Sequence, residues 1–560
     1  MTPNELGLSR RSALGLLAGA AIPSGLAAQF GGGSTDVETV RLNRIGRYAT
    51  GEALGGAEIV AFHAPRSRLF VVNSGAGQVE VLDLSDPSTP TQDAVLNASD
   101  LVGAESDVVS SVGGTNSVDV DGSLVAAAIE ADPATDDGAV AFYDPSSLEF
   151  VGAVSVGPLP DKVTITPNGD YVVVANEGEP GGSTDPAGSV SVIDISNGAR
   201  NASVSTATFG AFDGQEAALR DEAVHLVTSG DGEAVASTVI EPEFVTVAPD
   251  GERAFVSIQE NNAIATVDLA SATVERIDGL GFKDFSLPGN ELDTSDVDGS
   301  SLQNWPLKGM YQPDAIDAYE VGGDTFVVTA NEGDAKDFEV SVLKNLDLDP
   351  AGFDLSENPY VDSVEELKRP ENLGNMEVNE AAMAEFAGGP NGYTDIYAIG
   401  GRSFSVWQVE DDGLRLAFDS GSRFERTFAE QYPDGHVNVV ESGPETESAE
   451  LGVVGDRTFA FIGQEKGSGI TAYDVTSPEN PTYTQMAVNR DYSVSEDDLA
   501  AAAEEDAQGD NPARAGDFAP EGVHFVPASE SPIRNPLLCV GFEISGTVGV
   551  FEVTPVTNTN

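Results

Sequence analysis

A repeated strand–turn–strand pattern constrains the fold of this chain more than any other feature. Each copy has an apolar, β-branched strand, a turn rich in Gly, Pro and Asp, a second apolar strand, a loop and a third strand. The seven copies occupy 58–84, 117–144, 161–195, 243–269, 314–421, 450–475 and 521–553. Repeats of roughly 40 to 80 residues with variable loops are typical of propeller blades and too long for the rungs of a β-helix. The sequence therefore predicts an all-β fold, a seven-bladed β-propeller.

The two ends of the repeat array predict how the ring closes. The seventh copy ends at its third strand, and a separate strand at 40–48 precedes the first copy. That N-terminal strand can supply the fourth strand of the last blade and so cover an edge that would otherwise stay open. We therefore expect a YVTN- or WD40-like propeller over 40–555, followed by a short tail at 556–560.

Long segments interrupt the repeats. They lie at about 209–237, 281–312, 334–391 and 495–515. Helical patterns occur at 377–386 and 495–507, the second with Ser495 as its N-cap and Asp498 at the third helical position. Because long insertions on a rigid ring gather where binding takes place, we expect lids or rims over a site.

The first 28 residues have the pattern of a twin-arginine signal peptide. Arg10 and Arg11 precede a short apolar run, and small residues follow at Ala27 and Ala28. A flexible spacer is expected at 29–39. No other apolar stretch reaches the length of a membrane span, and the C-terminus shows no hydrophobic anchor. The sequence thus predicts a secreted, extracellular protein.

The charge of the chain is strongly negative, with 93 acidic against 27 basic residues and a formal net charge of −66. This field repels nucleic acid and anionic lipid. Salt weakens the self-repulsion, because the Debye length falls to about 3 Å at 1 M. The charge therefore indicates adaptation to a saline habitat, and a cation-binding function is a second, compatible interpretation. Cys539, the only cysteine, excludes a disulfide within the chain and is expected to be a buried thiol.

Acidic residues recur at two positions of the repeat. One precedes the first strand, and the other follows the second strand, where it belongs to an Asn-Glu-Gly motif at 176–178 and 331–333. Because these strands are antiparallel neighbours and the first lines the channel, both acids are predicted at one channel mouth. The first series is Glu58, Asn116, Asp161, Glu243, Asp314, Glu450 and Glu521; the second is Asn73, Glu130, Glu177, Glu260, Glu332, Glu465 and Glu543.

So many carboxylates cannot all stay ionised near one axis unless protons or cations compensate them. Oxygen ligands suit hard cations, and Ca²⁺, which accepts six to eight oxygens in flexible geometry, is the cofactor expected here. The richest clusters are in the third copy, with Asn176, and the fifth, with Asn331 and Asp337. A hydrated acidic funnel without metal is the alternative. The predicted metal ligands are Asp161, Glu177, Glu179, Asp185, Glu243, Glu260, Asp314, Glu332, Asp334, Glu521 and Glu543.

Standard catalytic signatures are missing from the sequence. It contains no G-x-S-x-G elbow, no Walker A loop and no H-E-x-x-H motif. Arg402 and Lys162 are the two candidates for holding an anionic substrate beside the acidic funnel. The alternative for Arg402 is an ion pair that locks two blades together.

Several motifs resemble the choice-of-anchor I family, and the resemblance covers nearly the whole chain after the signal. They are GGAEIVAF at 55–62, LPDKVTITPNGDYVVVANEGEP at 159–180, IEPEFVTV at 240–247, SIQENNAIATVDL at 257–269, GMYQPDAIDAY at 309–319, VTANEGDAKDF at 328–338, GGRSFSVW at 400–407 and GDFAPEGVHFVP at 516–527. The resemblance implies a secreted or surface-attached β-propeller related to mesenchyme-specific surface glycoproteins, and some members carry an alkaline-phosphatase label. One departure is VESGPETE at 440–447, where the family typically has an Asp/Arg/Ser-rich run leading into Gly-Pro-Glu-Pro-Glu-Gly.

Two functions are compatible with these patterns. The first is a propeller that binds divalent cations and, through them, a cell-surface glycan, a polymer or a partner protein. The alternative is a Ca²⁺-dependent phosphoesterase, similar to alkaline phosphatase or phytase, that acts on a phosphate ester in the same funnel. For either function we expect a monomer without nucleic-acid partners or a membrane span.

Overall fold

The computed structural model describes residues 37–557 apart from 99–107, 183, 229–231, 298, 337, 357, 497 and 500–513. The predicted signal peptide, the greater part of the spacer, Asp337 and the last three residues lie outside this part of the chain.

Seven four-stranded antiparallel sheets make up most of the described chain, one for each predicted repeat. The first four sheets contain β2–β5 (Val60–His63, Arg68–Asn73, Gln78–Asp83, Thr91–Asn97), β6–β9 (Val112–Asp121, Leu124–Ala131, Asp137–Tyr143, Phe150–Pro158), β10–β13 (Pro160–Ile165, Tyr171–Asn176, Ser189–Asp194, Ser203–Thr208) and β14–β17 (Val245–Val247, Arg253–Ile258, Ala263–Asp268, Thr273–Gly279). The fifth contains β20, β21, β27 and β28 (Ile316–Val321, Asp324–Asn331, Ser403–Glu410, Gly413–Asp419), and the sixth contains β29–β32 (Thr446–Val454, Arg457–Gln464, Gly469–Asp474, Thr482–Val488). The seventh contains β33–β35 (Pro520–Val526, Leu537–Phe542, Thr547–Thr557) and β1 (Val37–Ala49).

The first strands of the sheets form a closed ring. Each of β2, β6, β10, β14, β20, β29 and β33 contacts the next in this order, and β33 contacts β2. The N-terminal strand completes the seventh sheet, because β1 pairs antiparallel with β35 along its length, with Leu42 opposite Val553 and Tyr48 opposite Val548. The predicted all-β propeller and its closure by the N-terminal strand are confirmed.

Neighbouring sheets pack face to face, which explains why the strands are almost continuously apolar. Val172 and Ile193 of the third sheet pack with Ala126 and Phe142 of the second. A sheet covered on both faces needs apolar residues at both phases of the strand alternation. Cys539 lies buried among such residues, and burial raises the pKa of its thiol to about 12.

The insertions before and within the fifth repeat fold together. Their strands form one five-stranded sheet with its own apolar core around Trp305, Met310 and Met383. In sheet order these strands are β18 (Phe282–Asp284), β19 (Lys308–Met310), β26 (Tyr397–Ala398), β23 (Glu377–Asn379) and β22 (Val340–Val342), and a small hairpin contains β24 (Gly388–Gly389) and β25 (Gly392–Tyr393).

Five α-helices occur in the described residues: α1 (Glu216–Asp221), α2 (Ala236–Val239), α3 (Val364–Leu367), α4 (Glu380–Ala387) and α5 (Arg423–Gln431). The helix expected at 377–386 corresponds to α4, and its first three predicted residues form β23 instead. Ser495 and Asp498 make the reciprocal hydrogen bonds of a capping box, each of 3.1 Å, although most of the helix expected there lies outside the described residues. None of the described helices is long and apolar enough to cross a membrane.

Candidate functional site: acidic residues at the channel mouth

The acid before the first strand of a sheet lies at an irregular start of that strand. The strand register shifts between Pro160 and Lys162, between Thr446 and Ala449, and between Pro520 and Val523. These shifts enclose Asp161, Glu447 and Glu521, respectively. A β-bulge turns a side chain away from the regular alternation of the strand, so these carboxylates are directed by local backbone geometry.

A left-handed residue precedes this acid by two positions in four repeats. The residues are Leu159, Gln312, Glu445 and Ala519, with φ angles of +47°, +46°, +49° and +64°. None of them is glycine, and the left-handed region is unfavourable for other residues, so the same backbone strain is maintained four times at the same place.

This strained residue connects the two acidic positions of a repeat. The backbone N–H of Glu177 donates to the carbonyl oxygen of Leu159 at 2.9 Å, and that of Glu465 donates to Glu445 at 2.7 Å. Glu543 makes the same bond to Ala519 at 2.9 Å. The backbone therefore holds the acid that follows the second strand beside the acid that precedes the first.

The asparagine of the Asn-Glu-Gly motif has a structural role. Nδ2 of Asn176 donates to Oγ of Ser191 at 3.0 Å, and Nδ2 of Asn331 donates to Oγ of Ser405 at 2.8 Å. Each asparagine thus ties the second strand to the third. The glycine is also required, because a Cβ added to Gly333, whose φ is +96°, would lie 2.1 Å from the Cα of Gly400.

Five trios of acidic residues form the acidic mouth. In each trio, one carboxylate oxygen from every member lies within 4.8 Å of the others. All members are buried except Glu243, which is half-buried. The trios are Glu58/Glu521/Glu543, Asp161/Glu177/Glu243, Glu177/Glu241/Glu260, Asp314/Glu332/Glu447 and Glu332/Glu445/Glu465.

Several of these carboxylates are buried without enough hydrogen-bond donors. Glu521 is 0 % exposed, and neither of its carboxylate oxygens has a hydrogen-bond partner among the described residues. Oδ2 of Asp161, Oδ1 of Asp314 and Oε2 of Glu447 are likewise buried and lack such a partner there. A buried polar atom without a hydrogen bond is costly, and a buried charge is more so.

Burial raises the pKa of these carboxyl groups, and their neighbours add to the effect. The pKa values of Asp161, Asp314, Glu447 and Glu521 lie well above the ordinary range, first because of burial and then because other carboxylates surround each group. Burial raises the pKa of Glu58 to about 8. Carboxyl groups in this state either take up protons or bind cations.

Two trios contact lysines of the chain itself. Nζ of Lys466 lies 2.9 Å from Oε1 of Glu465 and 3.7 Å from Oε2 of Glu445. Burial opposes the charge of Lys466, but these two carboxylates outweigh it and raise the pKa of the ammonium group. In the other trio, Nζ of Lys336 lies 2.5 Å from Oε1 of Glu241.

A second polar layer lies further along the inner strands. Lys162 is 0 % exposed, and its Nζ lies 4.5 Å from the centroid of the Phe244 ring. Burial lowers the pKa of Lys162 to about 7, against the opposing effect of Asp119, Glu450 and Asp317. These three carboxylates accept backbone N–H groups of neighbouring inner strands at 2.7 to 2.9 Å. They therefore join adjacent sheets, and Lys162 is enclosed among them.

Arg402 is buried, and both terminal nitrogens of its guanidinium donate hydrogen bonds to protein acceptors. It is 2 % exposed. Its Nη1 donates to Oε1 of Glu425 at 2.7 Å and to the carbonyl oxygen of Asp293 at 3.0 Å. Its Nη2 donates to the carbonyl oxygens of Val439 and Glu441. These contacts support the alternative interpretation of Arg402 as a structural ion pair.

The family described as Choice-of-anchor I domain matches residues 58–478. The chain belongs to the choice-of-anchor I family. The resemblance noted in the motifs is thereby confirmed.

Relatives of this choice-of-anchor I protein include two named animal proteins. Gigasin-3a of Magallana gigas is 29 % identical over 29 % of this chain and 59 % of its own length. The mesenchyme-specific cell surface glycoprotein of Strongylocentrotus purpuratus is 29 % identical over 38 % of this chain and 32 % of its own length. The chain therefore spans less than two thirds of either relative.

Two solved structures are similar to this chain at low sequence identity. The β-propeller domain of Cps50 (Swd1) from Myceliophteria thermophila is 9 % identical, with a TM-score of 0.45 over 92 % of this chain and 100 % of its own. Hydrazine synthase of Kuenenia stuttgartiensis is 12 % identical, with a TM-score of 0.42 over 90 % of this chain and 96 % of its own.

The structure brings together most of the predicted ligands of this choice-of-anchor I domain. Those within trios are Asp161, Glu177, Glu243, Glu260, Asp314, Glu332, Glu521 and Glu543. Glu179 and Asp334 are half-buried nearby, where their charges raise the pKa values of Asp161 and Asp314. Asp185 is exposed and belongs to none of the trios found in the described residues.

Three trio members were not recognised in the sequence: Glu241, Glu445 and Glu447. Glu450 was expected at the mouth of the sixth sheet, but it lies in the second layer, and Glu447 takes its place. Glu445 and Glu447 belong to VESGPETE, the run that departs from the typical family pattern. The available signal was a pair of acids two positions apart, because Glu241 and Glu243 show the same spacing as Glu445 and Glu447.

Proposed function

We propose that this chain is an exported, salt-adapted β-propeller whose acidic mouth binds divalent cations, Ca²⁺ in particular. Glu521 is the observation that carries the proposal, since its carboxyl group is completely buried, lacks hydrogen-bond donors in the described chain and lies beside two further carboxyl groups. A cation would satisfy all three groups at once. Carboxylate oxygens in a loosely arranged cluster match the preference of Ca²⁺ over metals that prefer sulfur or nitrogen.

The bound cations would in turn bind an external ligand. Three carboxylates supply three to six oxygens, whereas Ca²⁺ accepts six to eight, so coordination positions remain for an external ligand. An acidic protein surface alone repels anionic molecules, but a cation held at its mouth attracts their carboxylate or sulfate groups. We therefore propose a cell-surface glycan, a polymer or a partner protein with acidic groups as the ligand.

An extracellular location fits this role. The paired Arg10 and Arg11 precede an apolar run in the pattern of an export signal, and one relative is named a cell surface glycoprotein. The net charge of −66 also favours an environment rich in salt, where screening reduces self-repulsion.

A Ca²⁺-dependent phosphoesterase is the alternative. Such an enzyme would need a cationic group to hold the phosphate, and the two residues predicted for this purpose are both buried. Arg402 is occupied by four protein acceptors, and Lys162 is enclosed below the acidic mouth. Their placement favours binding as the first proposal.

Calorimetric titration of Ca²⁺ into the purified, chelator-treated protein in 1 M NaCl tests the proposal. We expect saturable binding, weakened by Glu521→Gln and unchanged by Asp185→Asn, which removes an exposed acid outside the trios. Binding that is absent, or that responds equally to both substitutions, would contradict a site at the mouth.

Retention of the protein on an alginate column in Ca²⁺ but not in chelator tests the ligand step. Hydrolysis of aryl phosphates by the Ca²⁺-loaded protein, abolished by Glu332→Gln, would instead establish the phosphoesterase.

A further inference from the structure

Three of the five trios have the same composition. Each combines the acid before the first strand of one sheet, the acid after the second strand of that sheet, and the acid before the first strand of the next sheet. We call them the bridging trios: Asp161/Glu177/Glu243 joins sheets three and four, Asp314/Glu332/Glu447 joins sheets five and six, and Glu521/Glu543/Glu58 joins sheets seven and one.

Seven sheets grouped in pairs leave one sheet over, and that sheet is the second. Its position before the first strand carries the neutral Asn116, whose Nδ2 donates to the carbonyl oxygen of Pro160 at 3.4 Å. In the part of the chain that the structure describes, no trio joins this sheet to either neighbour. The neutral amide thus occurs at the one sheet that pairing leaves without a partner.

The two remaining trios lie at the same interfaces and differ from the bridging trios in charge compensation. Glu177/Glu241/Glu260 contacts Lys336, and Glu332/Glu445/Glu465 contacts Lys466. At the interface of sheets seven and one, the residues at the corresponding positions are Gly56 and Asn73, which are neutral. A lysine is therefore present where the additional acids occur, and the neutral interface does not need one.

Each bridging trio contains an almost fully buried carboxylate with an oxygen that lacks a hydrogen-bond partner in the described chain and that no lysine contacts there. These are Oδ2 of Asp161, Oδ1 of Asp314 and both oxygens of Glu521. The three residues are 5 %, 4 % and 0 % exposed, so bulk solvent has little access to these oxygens. Oε2 of Glu465 also lacks a hydrogen-bond partner in the described chain, but Lys466 lies against the other oxygen of this carboxylate.

We infer that the propeller binds three divalent cations, one in each bridging trio, and that each cation joins two neighbouring sheets. This inference rests on the proposed cation-binding function and specifies its stoichiometry and its ligands. Each site would supply carboxylates from two neighbouring sheets. Occupation of all three sites would therefore join the sheets at three of the seven interfaces of the ring. The trios that contact lysine remain without a divalent cation, because an ammonium group already compensates them.

Equilibrium dialysis with ⁴⁵Ca²⁺ in 1 M NaCl tests the stoichiometry, because this salt concentration suppresses loose binding to the acidic surface. We expect three ions per chain. Asp161→Asn, Asp314→Asn and Glu521→Gln should each reduce the number by one, and the triple variant should bind none. Glu130→Gln is the matched control and should keep three, because it removes the acid after the second strand of the unpaired second sheet, which belongs to none of the trios in the described residues.

Lys466→Met provides an independent test. It leaves Glu332, Glu445 and Glu465 without their ammonium group, so a fourth ion should bind. A stoichiometry that stays at three in this variant would overturn the role of the lysine. Where Glu521→Gln does not fold, as judged by near-ultraviolet circular dichroism, Glu58→Gln tests the same trio.

The possible failures are distinguishable. If the protein binds no Ca²⁺, the proposed function and this inference both fail. If it binds Ca²⁺ with a number other than three, or if the three single variants do not each lose one ion, cation binding stands and the bridging trios are wrong.

Discussion

The backbone N–H of Glu543 donates a 2.9 Å hydrogen bond to the carbonyl oxygen of Ala519, a non-glycine residue in the left-handed region with φ of +64°. Glu177 and Leu159 repeat this relationship in the third repeat, as do Glu465 and Glu445 in the sixth. In these three repeats, the strained residue therefore holds two acidic residues side by side. Backbone strain of this kind is found where the surrounding structure requires a particular geometry.

Substitution of Ala519 tests the cost of this geometry. Ala519→Val should lower the free energy of unfolding by about 1–3 kcal/mol, because a β-branched residue tolerates the left-handed region poorly. Ala519→Gly is the matched control and should change it by less than about 1 kcal/mol, since glycine adopts this φ freely. Urea unfolding of both variants measures the difference. Equal effects of the two substitutions would show that the φ angle is not the cause.

Calcium should stabilise the folded ring. A cation that binds only the folded state adds about 2.7 kcal/mol per independent site at 100 times its Kd. The thermal midpoint in 1 M NaCl should therefore rise with free Ca²⁺, and the rise should vanish in the Asp161→Asn, Asp314→Asn, Glu521→Gln triple variant. A rise of the same size in the triple variant would place the bound ions elsewhere.

The stability of the protein should fall between about pH 6.5 and pH 9 because of His225. Its Nδ1 lies 2.5 Å from Oε2 of Glu385 on α4, and its Nε2 lies 3.3 Å from Oε2 of Glu339. Burial disfavours the imidazolium, but the two carboxylates outweigh it and raise the pKa to about 9. Because the folded pKa exceeds the ordinary value, the stabilisation is complete below about pH 6.5 and is lost as the pH rises through 9.

The expected loss for this one group is on the order of 3 kcal/mol. Urea unfolding of the parent protein and of His225→Gln across this range measures it as the difference between the two pH profiles. Arg220 also contacts Glu385 and stays charged throughout, so it does not contribute to the slope. Parallel profiles for the two proteins would contradict the assignment.

Arg402→Met should destabilise the protein by about 3–5 kcal/mol, because Glu425 would remain buried without its partner. Arg415→Met is the matched control. Its ion pairs with Glu410 and Glu479 are largely exposed, so the change should stay below about 1 kcal/mol. Both variants should bind as much Ca²⁺ as the parent protein. A stable Arg402→Met variant with impaired binding would return Arg402 to the site.

The repeat made the fold and the two acidic positions predictable. Apolar strands recur with a regular spacing, and the acids at their ends recur with them, so that Asp161 with Glu177 and Asp314 with Glu332 were expected as pairs. The bulges were not predictable from this spacing. They add residues at the start of the inner strand, and the expected acid of the sixth sheet was therefore placed at Glu450 instead of Glu447.

The grouping of acids into trios depends on tertiary contacts that no periodic signal contains. Glu58 meets Glu521 only because the ring closes between the first and the last repeat. Close approach at this junction needs Gly541, where an added Cβ would lie 1.9 Å from the carbonyl oxygen of Glu58. Lys336 reaches Glu241 from within an insertion, which shares no spacing with the blades. The prediction of Asp185 as a ligand, in contrast, rested on the acidic composition of its loop, and this residue is exposed.

The pairing of β1 with β35 also determines from which side of the ring the two ends of the described chain leave. Glu543 at the acidic mouth precedes β35, so β35 starts at the mouth and runs away from it to Thr557. Val37 at the start of β1 lies opposite Thr557, and Ala49 at its end lies opposite Thr547. Both ends of the described chain therefore leave the ring on the side away from the mouth. A tether joined to either end would hold the ring from behind, with the acidic mouth on the side that faces away from the point of attachment.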